Sequence, residues 1–461
     1  MKTTRVVGAT LLTILVLAVA ATAQGPGGEA VIAPGSGGSP EHSAWSWMSV
    51  FRGLLGLLSL VGIAWAMSLD RKKFPIKTVV GAVIMQIILG LMLIKWDVGR
   101  WVFQRISEFF VKLLEFTQIG SQFVFGNPDV LKGPGAPALA FSALPTIIFF
   151  SCLMAVLYHL RIMHVVIWIL AQIMNRVLGV TGAESMAMAA NVFVGQTEAP
   201  LVVRRFVPSM TKSELMSLMT GGFATVAGSV MAAYIALFQE VGGDEFVPHL
   251  LIASVMSAPA AFAISKIICP ERQTSVTGQG MKLEFKSSAS NVLDAASTGV
   301  SEGLKLWLNV VAMLLAFIAM VALLDYVLGL AVDGLTLSKL LGYIFSPIAF
   351  LMGVETADIR GFGSLLGIKI GVNEFVAYTE LQKEVLRWEH SAPGSLSERS
   401  LFMATYALCG FANFASIGIQ IGGITPMAPE RRQDIIQLAM RAMLGGALAS
   451  WMTASIAGMF F

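Results

Sequence analysis

The chain has 461 residues, of which 56% are hydrophobic and only 13% are charged, and its mean hydropathy is +0.76. Soluble domains carry about 25% charged residues, so the composition predicts a polytopic membrane protein and excludes an ordinary soluble enzyme. The formal net charge of +3 is too small to indicate a nucleic-acid partner. The three cysteines have no CxxC spacing, which argues against a disulfide framework or a zinc site.

The N-terminus has the features of an export signal. Lys2 and Arg5 precede the apolar run 6–20, which ends in the Ala-Thr-Ala sequence of residues 21–23. This order predicts a cleaved signal peptide over 1–23, with a first spanning helix as the alternative. The Gly/Pro/Ser-rich sequence that follows predicts a flexible linker over 24–44.

Apolar runs long enough to cross a bilayer recur along the rest of the chain. They occur at Trp45–Leu69, Ile76–Trp96, Leu139–Leu160, Leu215–Phe238, Leu250–Ile268, Leu304–Val327, Leu401–Ile424 and Leu438–Phe460. Trp101–Phe125 mixes charged residues with Phe and Leu at helical spacing, which favours a helix in the membrane interface. Arg161–Leu178 is predicted as another short or interfacial helix. The runs divide the chain into an N-terminal part over 45–138, with the interfacial helix, and a core over 139–461.

The charges between these runs predict the orientation of the chain. Arg71, Lys72 and Lys73 follow the first run, which places that end in the cytoplasm and the N-terminus outside. Alternation then puts the other basic loops inside and the acidic loops outside. It leaves two segments, near 181–211 and 355–398, that must enter and leave on one face. These segments are predicted to be re-entrant helical hairpins, oriented oppositely.

Each predicted hairpin carries a short polar motif inside apolar sequence. The first is Gly195–Pro200, with the sequence Gly-Gln-Thr-Glu-Ala-Pro, and the second is Asn373–Phe375. A carboxylate within a membrane costs roughly 3 kcal/mol even on lenient scales, so such residues are rarely there for packing. A span interrupted by small residues follows each motif. The repetition predicts an inverted repeat, with a substrate site at the midplane.

The side chains of both motifs suit a small, uncharged, polar ligand. Gln196, Thr197 and Glu198 offer an amide, a hydroxyl and a carboxylate, although Thr197 is also a candidate helix N-cap. Glu374 can accept two hydroxyl hydrogen bonds at once, as a vicinal diol such as a ribose requires. The alternative for Glu374 is an exposed acid in a periplasmic loop.

Polar residues in the interrupted spans extend this prediction. Asn413 and Ser416 are three residues apart and share one face of a helical turn, and Thr225 and Ser229 are four apart. Interhelical packing is the alternative for all of them, and we accept it for Ser229. The oxygens of Asn191 and Thr225 are hard ligands that suit a cation such as sodium.

At these residues the chain resembles the concentrative nucleoside transporter family. The resemblance is strong over Leu139–Phe461 and looser over the first two spans. The matching stretches are Asn191–Leu201, Met219–Val230, Asn373–Tyr378, Ala407–Gln420 and Met427–Arg432.

The resemblance implies a homotrimer of eight-span protomers that work as elevator-type transporters. It implies that nucleoside would be bound by Gln196, Thr197, Glu198, Val230, Glu374, Phe411, Asn413 and Ser416. Gln196, Thr197 and Glu198 would face the base, Val230 and Phe411 would pack near it, and Glu374, Asn413 and Ser416 would bind the ribose. A sodium ion would be held by the side chains of Asn191 and Thr225 and by the carbonyls of Val194 and Val226.

The sequence thus predicts an all-α inner-membrane symporter that uses sodium to concentrate nucleosides such as uridine, cytidine and adenosine. The first alternative is proton coupling, with Glu198 or Glu374 carrying the proton. The second is an intramembrane enzyme with paired carboxylates, which we disfavour because no nucleophile–base set or metal cluster accompanies them.

Overall fold

The computed structural model describes residues 47–126, 141, 143–239, 246–276 and 289–461. The predicted signal peptide and linker lie outside the described residues. Within these ranges the chain forms helices and connecting turns, with no strand. The all-α prediction is confirmed for this part of the chain.

The first five helices form the N-terminal part of the fold. They are α1 (Trp47–Ala66), α2 (Ile76–Gly90), α3 (Asp97–Phe125), α4 (Thr146–His159) and α5 (Ile162–Leu178). A short π-helical turn, Leu91–Lys95, extends α2. The segment predicted to be interfacial is one helix of 29 residues, α3. Helices α4 and α5 meet at an angle of 79°. Arg161 joins them in the left-handed conformation, with φ of 63°.

Two similar series of helices follow, separated by a long helix. The first series is α6 (Gly182–Asn191), α7 (Ala199–Val202), α8 (Lys212–Ala224), α9 (Gly228–Gln239) and α10 (Phe246–Ile268). The long helix is α11 (Val292–Ala331). After α12 (Leu337–Leu351), the second series is α13 (Ile359–Gly371), α14 (Glu374–Glu389), α15 (Glu398–Leu408), α16 (Phe414–Ile424) and α17 (Arg432–Ala457).

Each series contains a helical hairpin, then an interrupted helix, then a long apolar helix. The first hairpin joins α6 to the single turn of α7, and the second joins α13 to the 16-residue α14. The interrupted helices are α8–α9 and α15–α16. This order agrees with the internal repeat that the sequence predicts. The second arm of the first hairpin is much shorter than that of the second, because α7 ends at Val202 and the chain turns again at Pro208.

Side-chain caps fix where these helices begin. Thr211 accepts a hydrogen bond from the Glu214 amide, and the Glu214 side chain bonds back to the Thr211 amide. This capping box starts α8 at the cytoplasmic loop predicted from the charges. Thr181 and Glu184 form a second capping box at the start of α6.

The core lies where α8, α10, α15 and α17 pack against one another. Most residues of α8, α10 and α15 are buried, as is the C-terminal two-thirds of α17. By contrast α11, with 40 residues, is strongly apolar, and nearly all of its apolar part is exposed. An apolar, exposed helix of this kind is suited to contact lipid or another subunit.

By length and composition, six helices of the described part could cross a membrane, and a seventh is formed if the bent pair α4–α5 counts as one span. The predicted span Leu401–Ile424 is instead two helices of 11 residues each, as its interruption by small residues suggested. The chain is therefore a multi-pass membrane protein, while the total of eight spans stays a prediction.

The two interrupted helices touch each other at their breaks. Gly410, in the second break, has φ of +101°, and a Cβ atom there would lie 2.5 Å from the carbonyl oxygen of Phe223. Phe223 is in the last turn of α8. Only glycine allows both this backbone conformation and this approach. The contact brings the centres of the two repeats together.

Candidate substrate and cation site

A cavity of about 1300 Å³ lies where the hairpin turns meet the two helix breaks. Its walls also include one face of α11 and parts of α4. All the residues predicted to bind substrate line this cavity. They are Gln196, Thr197, Glu198, Val230, Glu374, Phe411, Asn413 and Ser416.

The turn of the first hairpin presents its polar groups to the cavity. The carbonyl of Gly195 accepts hydrogen bonds from the amides of Glu198 and Ala199, at 3.1 and 3.0 Å. The Thr197 hydroxyl donates to Oε1 of Glu198 at 3.0 Å. Gln196 is buried, and its Oε1 has no hydrogen-bond partner within the described residues. A free amide oxygen, a hydroxyl and a carboxylate are thus available to a polar ligand.

The hairpin turn lies close to α8 and α16, which explains two glycines. A Cβ on Gly222 would lie 2.9 Å from Cβ of Gln196, and one on Gly423 would lie 2.8 Å from Cγ2 of Thr197. Glycine at both positions lets the turn approach the two interrupted helices. The motif is therefore held between the two repeats rather than at a free loop tip.

The second hairpin contributes a buried carboxylate with two hydrogen-bond donors. Oε2 of Glu374 accepts from Nδ2 of Asn413 at 2.7 Å, and Oε1 accepts from the Tyr234 hydroxyl at 3.2 Å. Glu374 is 7% exposed, so it is not the exposed loop acid of the alternative interpretation. A carboxylate has about four acceptor positions, so two remain for the hydroxyls of a ligand.

Asn413 has a structural task in addition to its contact with Glu374. Its Oδ1 accepts from the Ser416 amide at 2.9 Å and so caps the start of α16. The side chain thus joins the break of the second interrupted helix to the second hairpin. Asn373 caps α14 in the same way, by accepting from the Val376 amide at 2.8 Å.

The residues predicted to bind sodium gather behind the first hairpin turn. Asn191 ends α6 and is 1% exposed, yet neither Nδ2 nor Oδ1 has a hydrogen-bond partner within the described part of the chain. A Cβ on Gly221 would lie 3.2 Å from Nδ2 of Asn191, so the amide faces the last turn of α8. A buried polar group without a partner costs about 1–3 kcal/mol and calls for a ligand.

Thr225 and two carbonyls complete this group. The Thr225 hydroxyl donates to the carbonyl of Gly221 at 2.9 Å, which leaves the lone pairs of its oxygen available. Within the described residues, no hydrogen bond reaches the carbonyl oxygens of Val194 or Val226. The amide of Gly228 donates to the carbonyl of Phe193 at 2.9 Å and holds the hairpin turn against the break. Neutral oxygens of this kind suit a hard monovalent cation.

The structure corrects two expectations. Thr197 does not cap a helix, because α7 begins after Glu198 and receives no side-chain cap. Thr225 and Ser229 do not share a helical turn, because Thr225 is extended, with φ of −121° and ψ of 167°, and lies in the break. Ser229, for which the sequence favours packing, lines the cavity.

The sequence interpretation also missed several polar residues near the site. Glu302, Lys305 and Asn309 lie on the cavity wall at i, i+3 and i+7 of α11. Their helical spacing in the first half of a very apolar helix was the available signal. Tyr234, which supports Glu374 from α9, carried no such signal. The buried Lys369 of α13 was signalled by a lysine within apolar sequence.

Three family models match the chain. "Na+ dependent nucleoside transporter C-terminus" matches residues 249–458, and the model of the corresponding N-terminus matches residues 55–128. A "Nucleoside recognition" model named Gate matches residues 140–240. Together they include nearly the whole of the described fold.

Individual proteins match over similar lengths. An uncharacterized transporter of Bacillus subtilis, YutK, is 41% identical over 419 residues, which are 90% of this chain and 100% of that protein. Human sodium/nucleoside cotransporter 1 is 40% identical over 391 residues, which are 82% of this chain. The aligned part is 58% of the length of that longer protein. The solved structure of CNTnw in an inward-facing, substrate-bound state has 39% identity and a TM-score of 0.83, and the match covers 90% of this chain and 99% of CNTnw.

Proposed function

The chain belongs to the Na+ dependent, concentrative nucleoside transporter family, and we propose that it is a symporter that uses sodium to concentrate nucleosides. The family and the matched relatives are transporters, so the chain is a transporter and not an enzyme. Coupling to sodium rather than to protons follows the family and the neutral oxygens around Asn191.

The observation that carries the proposal is the meeting of both hairpins and both helix breaks around one cavity. The ribose hydroxyls would bind to Glu374, whose carboxylate is held by Asn413 and Tyr234. Ser416, on the same turn as Asn413, would complete the ribose contacts. The base would lie against Val230 and Phe411, with its polar edge towards Gln196, Thr197 and Glu198.

The hairpin turn at residues 192–198 explains how the ion and the nucleoside would be coupled. One end of the turn carries the Val194 carbonyl of the proposed sodium site, and the other end carries Gln196, Thr197 and Glu198 of the proposed base site. Sodium bound by Asn191, Thr225 and the two carbonyls would fix the turn in the conformation that binds the base. The ion would therefore raise nucleoside affinity, and by linkage the nucleoside would raise sodium affinity equally.

The finer architecture is also part of the proposal. The hairpins would be re-entrant and oppositely oriented, and the core 139–461 would move against the scaffold 45–138 in an elevator-type cycle. The protein would act as a homotrimer in the inner membrane with its N-terminus outside. The exposed apolar faces of α11 and α3 offer surfaces for lipid and for subunit contact.

Uptake of radiolabelled uridine into proteoliposomes tests the proposal. A sodium gradient should drive accumulation above the external concentration, and a proton gradient in sodium-free buffer should not. Cytidine and adenosine should compete with uridine. Full accumulation in a proton gradient without sodium would refute the sodium site, and equilibration without accumulation would refute symport.

A further inference from the structure

Lys369 is a buried cation that the proposed transport site does not use. It lies in the last turn of α13, and its relative exposure is 0%. Its ammonium donates to the carbonyl oxygens of Ala407 and Cys409, both at 2.9 Å. Ala407 lies in the last turn of α15, and Cys409 is the first residue of the second helix break. The ammonium therefore sits at the interrupted helix of the second repeat.

The partners of this ammonium are those of a bound metal cation rather than those of an ion-paired lysine. No carboxylate of the described residues forms an ion pair with it, whereas the buried Lys266 pairs with Glu184 at 2.7 Å. Two carbonyls at a helix C-terminus point their negative ends at the charge, which stabilises a cation there. A buried charge is expensive unless its surroundings compensate it, and here the two carbonyls supply the hydrogen bonds while the Glu374 carboxylate acts without contact.

The first repeat has a corresponding place. Asn191 ends the first arm of its hairpin, as Lys369 is near the end of the first arm of the other. Asn191 faces Gly221 in the last turn of α8, and Lys369 contacts Ala407 in the last turn of α15. In each repeat a polar side chain of the first hairpin arm thus reaches the last turn before the break.

We propose that the Lys369 ammonium is a tethered counterpart of the transported sodium ion, fixed at the site in the second repeat that corresponds to the sodium site in the first. This inference rests on the proposed function. In the first repeat a neutral asparagine leaves room for an exchangeable ion. In the second, the lysine supplies its own cation to the carbonyls of the break. The protein would therefore carry one sodium ion with each nucleoside, although it has two cation positions.

The tethered charge also explains how the second hairpin stays in place without an ion. The ammonium bridges α13 to the C-terminus of α15 and attracts the Glu374 carboxylate on the other side of the hairpin turn. The ribose side of the cavity is thus organised permanently. Only the base side, at the first hairpin, would need sodium to become ordered.

Replacing Lys369 with asparagine tests the proposal, because it gives the second site the ligand type of the first. Lys369→Asn shortens the side chain, supplies an amide oxygen and leaves the two carbonyls without their cation. We expect a second sodium ion to bind there. The charge moved per nucleoside should rise from about one to about two. The apparent sodium affinity should fall, and uptake should depend more steeply on sodium concentration.

Two further variants separate this role from simple packing. Lys369→Met fills the space but offers no oxygen, so it should lose transport at every sodium concentration. Lys266→Asn removes another buried lysine, one with a carboxylate partner, and should lower stability without changing the number of sodium ions. Thermal unfolding of the purified proteins gives a second measurement. Sodium should stabilise Lys369→Asn more steeply than wild type, since each bound ion adds its own contribution.

Several results would overturn the proposal. They are a wild-type ratio of about two charges per nucleoside, an unchanged ratio in Lys369→Asn, or wild-type transport by Lys369→Met. A Lys369→Asn protein that cannot be purified even at high sodium would leave Lys369 a purely structural role and would also refute it. Failure of wild-type uptake to respond to sodium would instead refute the proposed function, so the two failures are distinguishable.

Discussion

Glu374→Gln gives the sharpest test of the ribose site, because the structure predicts that the variant folds. The amide can keep both existing contacts. Its oxygen accepts from Asn413, as Oε2 does now at 2.7 Å, and its NH2 donates to the Tyr234 hydroxyl, which can reverse its role. Asn413 and Tyr234 each keep a contact, the Tyr234 O–H loses its acceptor, and the charge is the main loss.

The expected cost to binding follows from the lost charge. Hydrogen bonds to a charged group contribute about 1.5–3 kcal/mol, against about 1 kcal/mol for neutral pairs. If a ribose hydroxyl that donates to the carboxylate loses this bond altogether in the variant, the affinity for uridine should fall by roughly 10- to 150-fold, since 1.4 kcal/mol corresponds to about tenfold. Dissociation constants measured by calorimetry on purified protein in sodium test this.

A dideoxy analogue shows whether the loss is at the ribose. The variant should lose affinity for uridine but little for 2′,3′-dideoxyuridine, which lacks the vicinal 2′- and 3′-hydroxyls. Glu384→Gln is the matched control. It lies on the same helix, and its ion pair with Arg387, at 2.7 Å, is partly exposed and contributes about 0–1 kcal/mol. An equal loss for both nucleosides would refute the contact between Glu374 and the ribose.

Three further predictions follow. Asn191→Leu should raise the melting temperature in sodium-free buffer, because it removes a buried amide without partners within the described residues. It should also abolish the stabilisation by sodium. A sodium response like that of wild type would exclude Asn191 from the cation site. Gly410→Ala should lower stability by at least about 1–3 kcal/mol, since its φ is +101° and its Cβ would meet the Phe223 carbonyl; an unchanged denaturation midpoint would contradict the contact between the breaks. At equal sodium on both sides, a potassium-diffusion potential of about 100 mV, negative inside, should raise steady-state nucleoside accumulation up to about 50-fold per charge. Accumulation that ignores the potential would show electroneutral transport.

The sequence predicted the residues of the cavity better than it predicted their conformations. Gln196, Glu198 and Glu374 were identifiable because polar groups are costly in a membrane, so each stood out against apolar sequence. The same logic applied to Asn413. The polar residue could be identified, but its role as the N-cap of α16 could not, because an N-cap needs non-helical backbone at its own position. The apolar pattern alone does not show where the helix before Asn413 ends.

Residues whose role depends on a distant partner escaped prediction. Tyr234 supports Glu374 across 140 positions of the chain, and its own neighbourhood is an ordinary apolar helix. The sequence favours packing for Ser229, whereas in the structure the break at Thr225 turns α9 so that Ser229 lines the cavity. Both roles arise from tertiary contacts, on which local periodicity carries no information.

The contact between the two breaks brings the proposed sodium site and Lys369 into one region of the protein. Gly410 rests on the Phe223 carbonyl, one residue before the end of α8, so the helix end that Asn191 faces and the one that Lys369 caps lie side by side. A cation near either end acts on two helix termini at once. Under the proposed mechanism, the tethered ammonium keeps one terminus occupied throughout the cycle. Binding and release of sodium then change the charge at the other terminus only. The first hairpin turn would couple sodium binding to nucleoside binding.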